Sequence, residues 1–403
     1  MRRVSALSAT LAALASVSVG MAPSAAAEDV QAKQWYLASM QADQMWKVST
    51  GEGVKVAVLD TGVTETPSLK GQILGNDVPK PVSYRATEDY DGHGTTLAEL
   101  IAGTGSGGGL KGLAPGAKIV PYRVRLNSLK GSERQKTPEP YQAIRAAADT
   151  DAKIINMSFS GAYVSAREEA AINYAMSKGK LLIAGAGNEG EQGEGSVGYP
   201  AGYPYVVGVS AVDASGTVTK FSSYGNNVDL AAPGLDIPYW CDKTLRSYCD
   251  AGQGTSQASA IASASAALIW SAHPDWTANQ VLRSLIDTAG RTWKKDIPSK
   301  YLGYGIVRPR KVLEDSGYNP GPADSDPLGK ANEAGGATPS PSGSVPAPSQ
   351  APESPSGGET VAAESTSKSS DDGSTLWIGL GAVAAVVVIG GGAFAVKRAR
   401  RRA

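Results

Sequence analysis

Residues 54–60 read Val-Lys-Val-Ala-Val-Leu-Asp, a short apolar run that ends in a carboxylate. A run of this kind, rich in β-branched residues, is typical of a strand buried on both faces of a parallel sheet. Similar runs follow and alternate with segments of helical pattern, the former at 119–124, 154–157 and 181–184 and the latter at 95–102, 141–150 and 166–178. The alternation predicts an α/β domain with a mostly parallel central sheet and helices on both faces.

A longer segment of small residues, 256–272, also has a helical pattern and ends before His273 and Pro274. It is apolar enough to be considered as a membrane span. Its serines and its length favour instead a helix buried in the core of the domain.

Histidine is scarce in this chain, which has only His93 and His273. His93 lies between Gly92 and Gly94, just before a predicted helix, where glycines let a substrate backbone approach closely. His273 precedes a proline at a helix end and is interpreted as a capping or surface residue. A general base that titrates near neutral pH would therefore be His93.

Asp60 and Ser256 have ordinary structural interpretations when each is taken alone. Asp60 can bond the amides of the turn that follows its strand, and Ser256 can cap the helix that it opens. The carboxyl ends of parallel strands and the N-termini of helices are also the places where α/β proteins bind substrates and negative charge. A carboxylate, a histidine and a serine at such places together indicate nucleophilic catalysis by the serine.

Four motifs resemble those of the subtilase family of serine proteases. They are Val-Ala-Val-Leu-Asp-Thr-Gly around Asp60, Gly-His-Gly-Thr around His93, Ala-Gly-Asn-Glu-Gly around Asn188 and Gly-Thr-Ser at Ser256. The order Asp, His, Ser also distinguishes subtilases from chymotrypsin-like and α/β-hydrolase enzymes. The resemblance, which covers roughly residues 53–312, implies a subtilisin-like fold and a serine endopeptidase.

The resemblance implies a role for each of these residues. Ser256 would attack a peptide carbonyl, His93 would take its proton, and Asp60 would hold the His93 tautomer. The amide of Asn188 would stabilise the oxyanion, with a turn asparagine in a glycine-rich loop as the alternative. The stretch 155–158 resembles the strand that lines the family's substrate cleft, and 186–190 resembles the family's oxyanion-hole segment. The expected substrate-binding residues are Ser158, Phe159, Ser160, Gly161, Ala186 and Gly187.

Several positions depart from the family pattern. Glu99 occupies a place where a small residue is usual, so its carboxylate is expected to need a partner or solvent. Phe159 and Ser160 replace the usual Leu-Gly, which is expected to narrow or reshape the pocket for the residue before the cleaved bond. The glycine-rich stretch 103–109 replaces a loop that carries calcium in many subtilisins, so no metal is expected there. It also matches G-x-G-x-x-G, but it follows a helix rather than a strand, and no cofactor is expected.

The two ends of the sequence carry export and membrane signals. Residues 1–27 have a basic start, an apolar stretch and an A-x-A site, which predicts a cleaved signal peptide, with an uncleaved anchor as the alternative. Residues 375–396 include an uncharged stretch long enough to cross a membrane, and the basic tail 397–403 predicts a cytoplasmic C-terminus. The predicted location is therefore the cell membrane, single-pass, with the protease domain on the extracellular side.

The sequence between these signals divides into three parts. Residues 28–52 form a short N-terminal extension, 53–316 the peptidase domain, and 317–374 a Pro/Ser/Gly-rich linker that is expected to be disordered because it has too few apolar residues for a core. The exported part is net acidic without the terminal basic residues, so no nucleic-acid partner is expected. Cys241 and Cys249 lie close together and are predicted to form a disulfide, with free thiols as the alternative.

This layout resembles that of the mycosins, which are subtilases associated with type VII secretion. The expected partners are a protein or peptide substrate, the membrane and the type VII secretion machinery. The predicted function is hydrolysis of peptide bonds in exported or cell-surface proteins. A non-catalytic structural subunit of a membrane secretion complex is the alternative from another class, and a wall-spanning adhesin is a third hypothesis that rests on the composition of the linker.

Overall fold

The structure of this chain is a computed structural model that describes residues 30–329. The strands in this region are β1 (Lys55–Asp60), β2 (Lys118–Arg123), β3 (Ile154–Met157), β4 (Leu181–Gly185), β5 (Val206–Val212), β6 (Leu230–Pro233), β7 (Leu235–Trp240) and β8 (Tyr248–Gln253). The first six form one sheet in the order β2-β1-β3-β4-β5-β6, and every neighbouring pair is parallel. The last two form an antiparallel hairpin.

The helices of the described region alternate with these strands. They are α1 (Trp35–Ser39), α2 (Ala42–Met45), α3 (His93–Ala102), α4 (Gly131–Lys136), α5 (Pro140–Ala148), α6 (Ala166–Ser177), α7 (Thr255–Ala272), α8 (Ala278–Thr288) and α9 (Pro309–Leu313). Short 3-10 turns lie at Val30–Lys33, Gly75–Asp77, Lys80–Val82, Ser106–Gly108 and Gly190–Gln192. The predicted strands and helices agree with β1 to β4 and with α3, α5, α6 and α7, which confirms the α/β class.

The strand β1 carries apolar side chains toward both faces of the sheet. Val56 and Val58 lie in the core that contains α3 and α7, while Ala57 and Leu59 lie in the core that contains α5 and α6. All four are fully buried. Burying one Val or Leu side chain contributes about 1.5–3 kcal/mol, so the apolar run that predicts this strand also requires helices on both faces.

Local sequence sets the ends of the helices on the second face. α5 begins at Pro140, whose missing N–H costs nothing in a first turn. The side chains and backbones of Glu139 and Gln142 form a capping box around that turn. α6 begins after Ser165, whose hydroxyl accepts a hydrogen bond from the N–H of Glu168. These signals explain why the two helices start where they do.

The helix α7 is the buried core helix that its small residues predict. Nearly all of its residues are buried, because alanine and serine let it lie close to β3, β4, β5 and β6. A buried hydrogen bond of 3.0 Å from the Ser263 hydroxyl to Asn156 Oδ1 ties it to β3. Among the described residues, no helix is long and apolar enough to cross a membrane.

The order of the strands predicts a crevice at the carboxyl ends of β1 and β3. The chain passes from β1 to β2 on one side, and β3 then pairs with β1 on the other side. Ligands of open α/β sheets bind outside the carboxyl ends of strands at such a reversal. The residues at this place are Asp60, which ends β1, and Ser158, which follows β3. This gap is called the crevice below.

The ordered domain extends beyond the predicted limits of 53 and 316. On the N-terminal side, Tyr36 and Met45 of the expected extension are buried in the same core as α7. On the C-terminal side, Leu328 is buried in that core, and Thr277 donates a hydrogen bond of 2.8 Å to the carbonyl oxygen of Ala323. The described part of the chain therefore continues past the predicted start of the linker at 317, with Ala323 and Leu328 in contact with the domain, and the linker boundary stays a prediction.

The other predicted segments lie outside the described residues. These are the signal peptide 1–27, the transmembrane helix 375–396, the basic tail 397–403 and the part of the linker from 330 to 374.

Candidate active site

The carboxylate of Asp60 lies at the carboxyl end of β1 and is fully buried. Its Oδ1 is 2.7 Å from Nδ1 of His93 and also accepts a hydrogen bond of 2.8 Å from the N–H of Thr61. Its Oδ2 has no hydrogen-bond partner in the described part of the chain. A buried carboxylate in this position holds the imidazole by Nδ1, which leaves Nε2 free to take a proton.

The charges around His93 favour its protonated form. Burial lowers the pKa of this imidazole, although 33% of its side chain is exposed. The charge and hydrogen bond of Asp60, together with the charges of Asp91 and Asp89, outweigh the burial and raise the pKa of His93 from 6.5 to about 9. Because a general base must be neutral, the site is expected to work best in alkaline solution.

The turn before His93 is organised by Asp89, which sequence reasoning missed. Its Oδ1 accepts hydrogen bonds from the Thr61 hydroxyl at 2.7 Å and the Gly92 N–H at 2.8 Å. Its Oδ2 accepts a hydrogen bond of 2.8 Å from the N–H of Thr95. Asp89 therefore fixes the backbone on both sides of the imidazole. The sequence did carry one signal, which is that Asp89 lies in the same turn as Gly92. In such a turn an aspartate carboxylate can accept hydrogen bonds from several backbone N–H groups.

Ser256 is the second residue of α7, which begins at Thr255. Its hydroxyl donates to the carbonyl oxygen of Ser158 at 3.1 Å, and in the described structure it makes no hydrogen bond to His93. The hydroxyl of Ser158 is 2.8 Å from that of Ser259, one turn further along α7. These contacts hold the start of α7 against the end of β3, so that Ser256 faces the crevice.

Asn188 lies in the loop after β4, with its side chain turned toward the start of α7. Its Oδ1 accepts hydrogen bonds from the N–H of Thr255 at 3.0 Å and from the Thr255 hydroxyl at 3.2 Å. With the oxygen held in this way, the NH₂ group can donate to a substrate oxygen beside Ser256. This is the orientation that an oxyanion-hole donor requires.

The segments that follow β3 and β4 bring most of the predicted substrate-binding residues to the crevice. Gly161 exchanges two hydrogen bonds of 2.8 Å with Tyr199, and Gly187 donates to the Thr255 hydroxyl at 3.1 Å. Phe159 differs from its neighbours, because its side chain packs half-buried against the core that contains α5 and α6. The other predicted substrate-binding residues in these two segments are Ser158, Ser160, Gly161, Ala186 and Gly187, and their role in binding stays a prediction.

A family model described as the subtilase family matches residues 51–305. This chain belongs to the subtilase family. The minor extracellular protease Epr of Bacillus subtilis is 33% identical over 71% of this chain, and the match spans only 42% of that relative. A thermostable alkaline protease of Halalkalibacterium halodurans is 36% identical over 66% of this chain and 68% of its own length. The solved structure of MycP1 from the ESX-1 type VII secretion system is 26% identical, with a TM-score of 0.59, over 72% of this chain and 88% of that one.

In this subtilase a disulfide-closed hairpin packs against the turn that precedes His93 and leads to the start of α7. A disulfide joins Cys241 to Cys249 across the tip of the β7–β8 hairpin. The tip packs against the turn before the histidine, since a Cβ atom on Gly92 would lie 2.8 Å from the carbonyl oxygen of Asp242. Gly92 also has a left-handed backbone with φ of 104°, so both space and conformation require glycine there. β8 then leads directly to α7 and Ser256.

The hairpin is also bound to α3 through Glu99. This carboxylate is fully buried, and it accepts hydrogen bonds from the Thr66 hydroxyl at 2.5 Å and the Tyr248 hydroxyl at 2.7 Å. Burial raises the pKa of Glu99 from 4.5 to about 7, although these two hydrogen bonds oppose the change. The partner that the sequence requires for Glu99 is therefore supplied by the hairpin.

The described residues contain no group of three or more His, Cys, Asp or Glu side chains that could hold a metal ion. In the stretch 103–109, where calcium was not expected, the backbone is held by the N-terminal segment. The amide of Gln31 donates hydrogen bonds of 2.9 Å to the carbonyl oxygens of Gly105 and Gly109.

Proposed function

We propose that this subtilase is a serine endopeptidase in which Asp60, His93 and Ser256 form the catalytic triad. The observation that carries the proposal is the 2.7 Å contact between the buried Asp60 and His93, in the same crevice that the start of α7 enters with Ser256. The relatives named as proteases support the same reaction class. A carboxylate, an imidazole and a hydroxyl so placed serve acyl transfer.

In the proposed reaction, Ser256 attacks the carbonyl carbon of the substrate while His93 takes the proton of its hydroxyl. The hydroxyl must first leave its acceptor, the carbonyl oxygen of Ser158. Asp60 stabilises the imidazolium that forms, and the Asn188 amide donates to the oxyanion. His93 then gives its proton to the leaving amine. In the second half of the reaction, His93 takes a proton from the water that attacks the acyl-enzyme and returns a proton to Ser256.

The proposed substrates are exported or cell-surface proteins, and the proposed location is the cell membrane with the protease domain outside. The support is the signal-like segment 1–27, the apolar segment 375–396 and the basic tail 397–403. The likeness to MycP1, a protease from a type VII secretion system, supports such machinery as a partner. The net acidic composition of the exported part disfavours nucleic acid as a partner.

The second candidate is a non-catalytic structural subunit of a secretion complex. One observation favours it, which is that Ser256 donates to Ser158 rather than to His93. The two candidates differ in whether Ser256 is an activated nucleophile, and this difference can be measured directly.

The test is labelling of the purified full-length protein with a fluorophosphonate, beside two serine variants. Ser256→Ala removes the proposed nucleophile, while Ser271→Ala removes an exposed hydroxyl from the other end of α7 and is the matched control. We expect labelling of the wild type and of the control and none of Ser256→Ala. A folded wild type that does not react refutes the triad and favours the non-catalytic structural subunit.

A further inference from the structure

A narrow slot lies beside Ser256, between the segments that follow β3 and β4. Its walls are residues 158–161 and 186–189, which lie on either side of the start of α7 through the contacts of Ser256 with Ser158 and of Thr255 with Asn188. In the proposed endopeptidase, a substrate residue whose carbonyl lies over Ser256, with its oxygen at Asn188, would place its side chain in this slot.

The far end of the slot is closed by backbone. Gly161 and Tyr199 exchange two hydrogen bonds of 2.8 Å, and the N–H of Gly198 donates to the carbonyl oxygen of Ala186 at 3.0 Å. Gly198 is buried beneath this bridge, so it forms the floor. The floor of the slot is thus formed by hydrogen-bonded backbone.

The side chain of Ser160 occupies this space. A Cβ atom built on Gly198 would lie 2.0 Å from the Ser160 hydroxyl oxygen, and one built on Gly187 would lie 3.2 Å from it. The hydroxyl therefore sits over the floor and within contact distance of the opposite wall. The Ser160 hydroxyl thus occupies space that Gly187 and Gly198 leave open.

A second group enters from the other wall. Oε2 of Glu189 would lie 2.6 Å from a Cβ atom on Gly187, and it accepts hydrogen bonds from the Asn188 N–H at 2.7 Å and the Ser223 hydroxyl at 3.3 Å. These bonds hold the carboxylate against its own wall. Because its acceptor capacity is partly used there, it reduces the width of the slot more than it offers a partner to a substrate cation.

We propose that Ser160, backed by Glu189, restricts this subtilase to cleavage after a small residue such as alanine, glycine or serine. The inference rests on the proposed endopeptidase function. A benzyl or long aliphatic side chain that reaches Gly198 would have to displace the Ser160 hydroxyl, whereas a small side chain would not. Pockets that differ by one methylene discriminate by about 10- to 200-fold, so we expect alanine to be preferred over phenylalanine by roughly 100-fold.

The test uses peptidyl diphenyl phosphonates that differ only in the residue before the phosphorus, which is alanine, phenylalanine or lysine. Each reagent forms a covalent bond with an activated serine, and intact-mass spectrometry gives its second-order rate with the full-length protein. The informative variant is Ser160→Gly, and the matched control is Tyr163→Ser, which changes a side chain that is 88% exposed and outside the slot.

We expect the wild type to react fastest with the alanine reagent. Ser160→Gly should raise the rate with the phenylalanine reagent relative to the alanine reagent by roughly tenfold or more, and Tyr163→Ser should keep the wild-type ratio. Tryptophan fluorescence and near-UV dichroism establish that both variants are folded. A selective gain in the rate with the phenylalanine reagent is a change that a merely structural role of Ser160 would not produce.

Three results would overturn the inference. They are equal rates with alanine and phenylalanine in the wild type, a highest rate with lysine, which would mean that Glu189 selects a cation, and an unchanged ratio in Ser160→Gly. Fluorophosphonate labelling separates this failure from that of the proposed function. A protein that the small fluorophosphonate labels but that prefers phenylalanine refutes only the role of Ser160, whereas a folded protein that no phosphonate labels refutes both.

Discussion

Replacement of Glu99 by glutamine is predicted to stabilise this subtilase in alkaline solution. The carboxylate of Glu99 is fully buried in α3 and accepts hydrogen bonds from Thr66 and Tyr248. Glutamine has nearly the same shape, and both hydroxyls can keep a partner because one donates to the amide oxygen and the other accepts from the amide nitrogen. The substitution therefore removes the buried charge and little else.

The size of the effect follows from the pKa of Glu99, which burial raises from 4.5 to about 7. Below the lower value the carboxyl is protonated in the folded and unfolded chains alike, and above the higher value it is ionised in both. The folded chain binds the proton more tightly, so the stability that this proton provides is lost as the pH rises through about 7. The difference between the two pKa values corresponds to about 3 kcal/mol.

The assay is urea unfolding followed by tryptophan fluorescence, in a Ser256→Ala background that prevents self-digestion. At about pH 4, where the carboxyl is mostly protonated in both states, Glu99→Gln and its parent should differ by no more than about 1 kcal/mol, the value of one altered hydrogen bond. At about pH 9 the variant should be more stable by about 3 kcal/mol. The control is Glu191→Gln at an exposed position, which should show no such divergence.

Other buried acids titrate in both proteins, so their contributions cancel in the comparison. If the difference between Glu99→Gln and its parent stays constant from acid to alkaline solution, Glu99 is ionised without cost in the folded protein. A variant that is less stable than its parent at alkaline pH would show that the charge itself holds the Tyr248 hydroxyl. Either result would refute the reasoning from burial.

Two further predictions concern the proposed catalysis. Asn188→Ala should lower kcat by about 10²- to 10³-fold, a figure that itself comes from subtilisin, with KM almost unchanged. Steady-state kinetics check this prediction. An equally large rise in KM would mean that Asn188 binds the substrate in the ground state. kcat/KM should rise with pH as His93 loses its proton, and Asp91→Asn should move that rise to lower pH because it removes a charge that favours the imidazolium. The matched control is Asp149→Asn, which lies away from the crevice at the end of α5, and a rise that does not move would contradict the electrostatic account.

The sequence predicts the elements that combine a strong local pattern with burial. The apolar run 54–60 has one reasonable structure, a strand covered on both faces, and β1 has that structure. The small residues of 256–272 likewise predict a helix buried against a sheet, as α7 is. The triad and Asn188 were assigned by motif. The structure places Asp60 against His93 and Asn188 against the start of α7, where Ser256 lies, while their catalytic roles stay predictions.

What the sequence did not predict depends on contacts between distant segments. Asp89 looks like any turn aspartate until its bonds to Thr61 and Thr95 are seen. The β7–β8 hairpin lacks a regular alternation, because Asp236 has a left-handed backbone and the pairing shifts register beside Ile237. Local pattern also has no way to indicate that an extension before β1 joins the core of α7, since that requires the surface of the finished domain.

The position of α7 has a consequence for the order in which activity appears. The helix spans four strands of the sheet, and the last two of these, β5 and β6, end at 212 and 233, far beyond Asp60 and His93 in the chain. In synthesis from the N-terminus, Asp60 and His93 are made well before Ser256. Under the proposed mechanism, a chain in which α7 has not yet packed against β5 and β6 lacks a positioned serine and is inactive. Within the proposed triad, the nucleophile is therefore the last member to be synthesised and positioned.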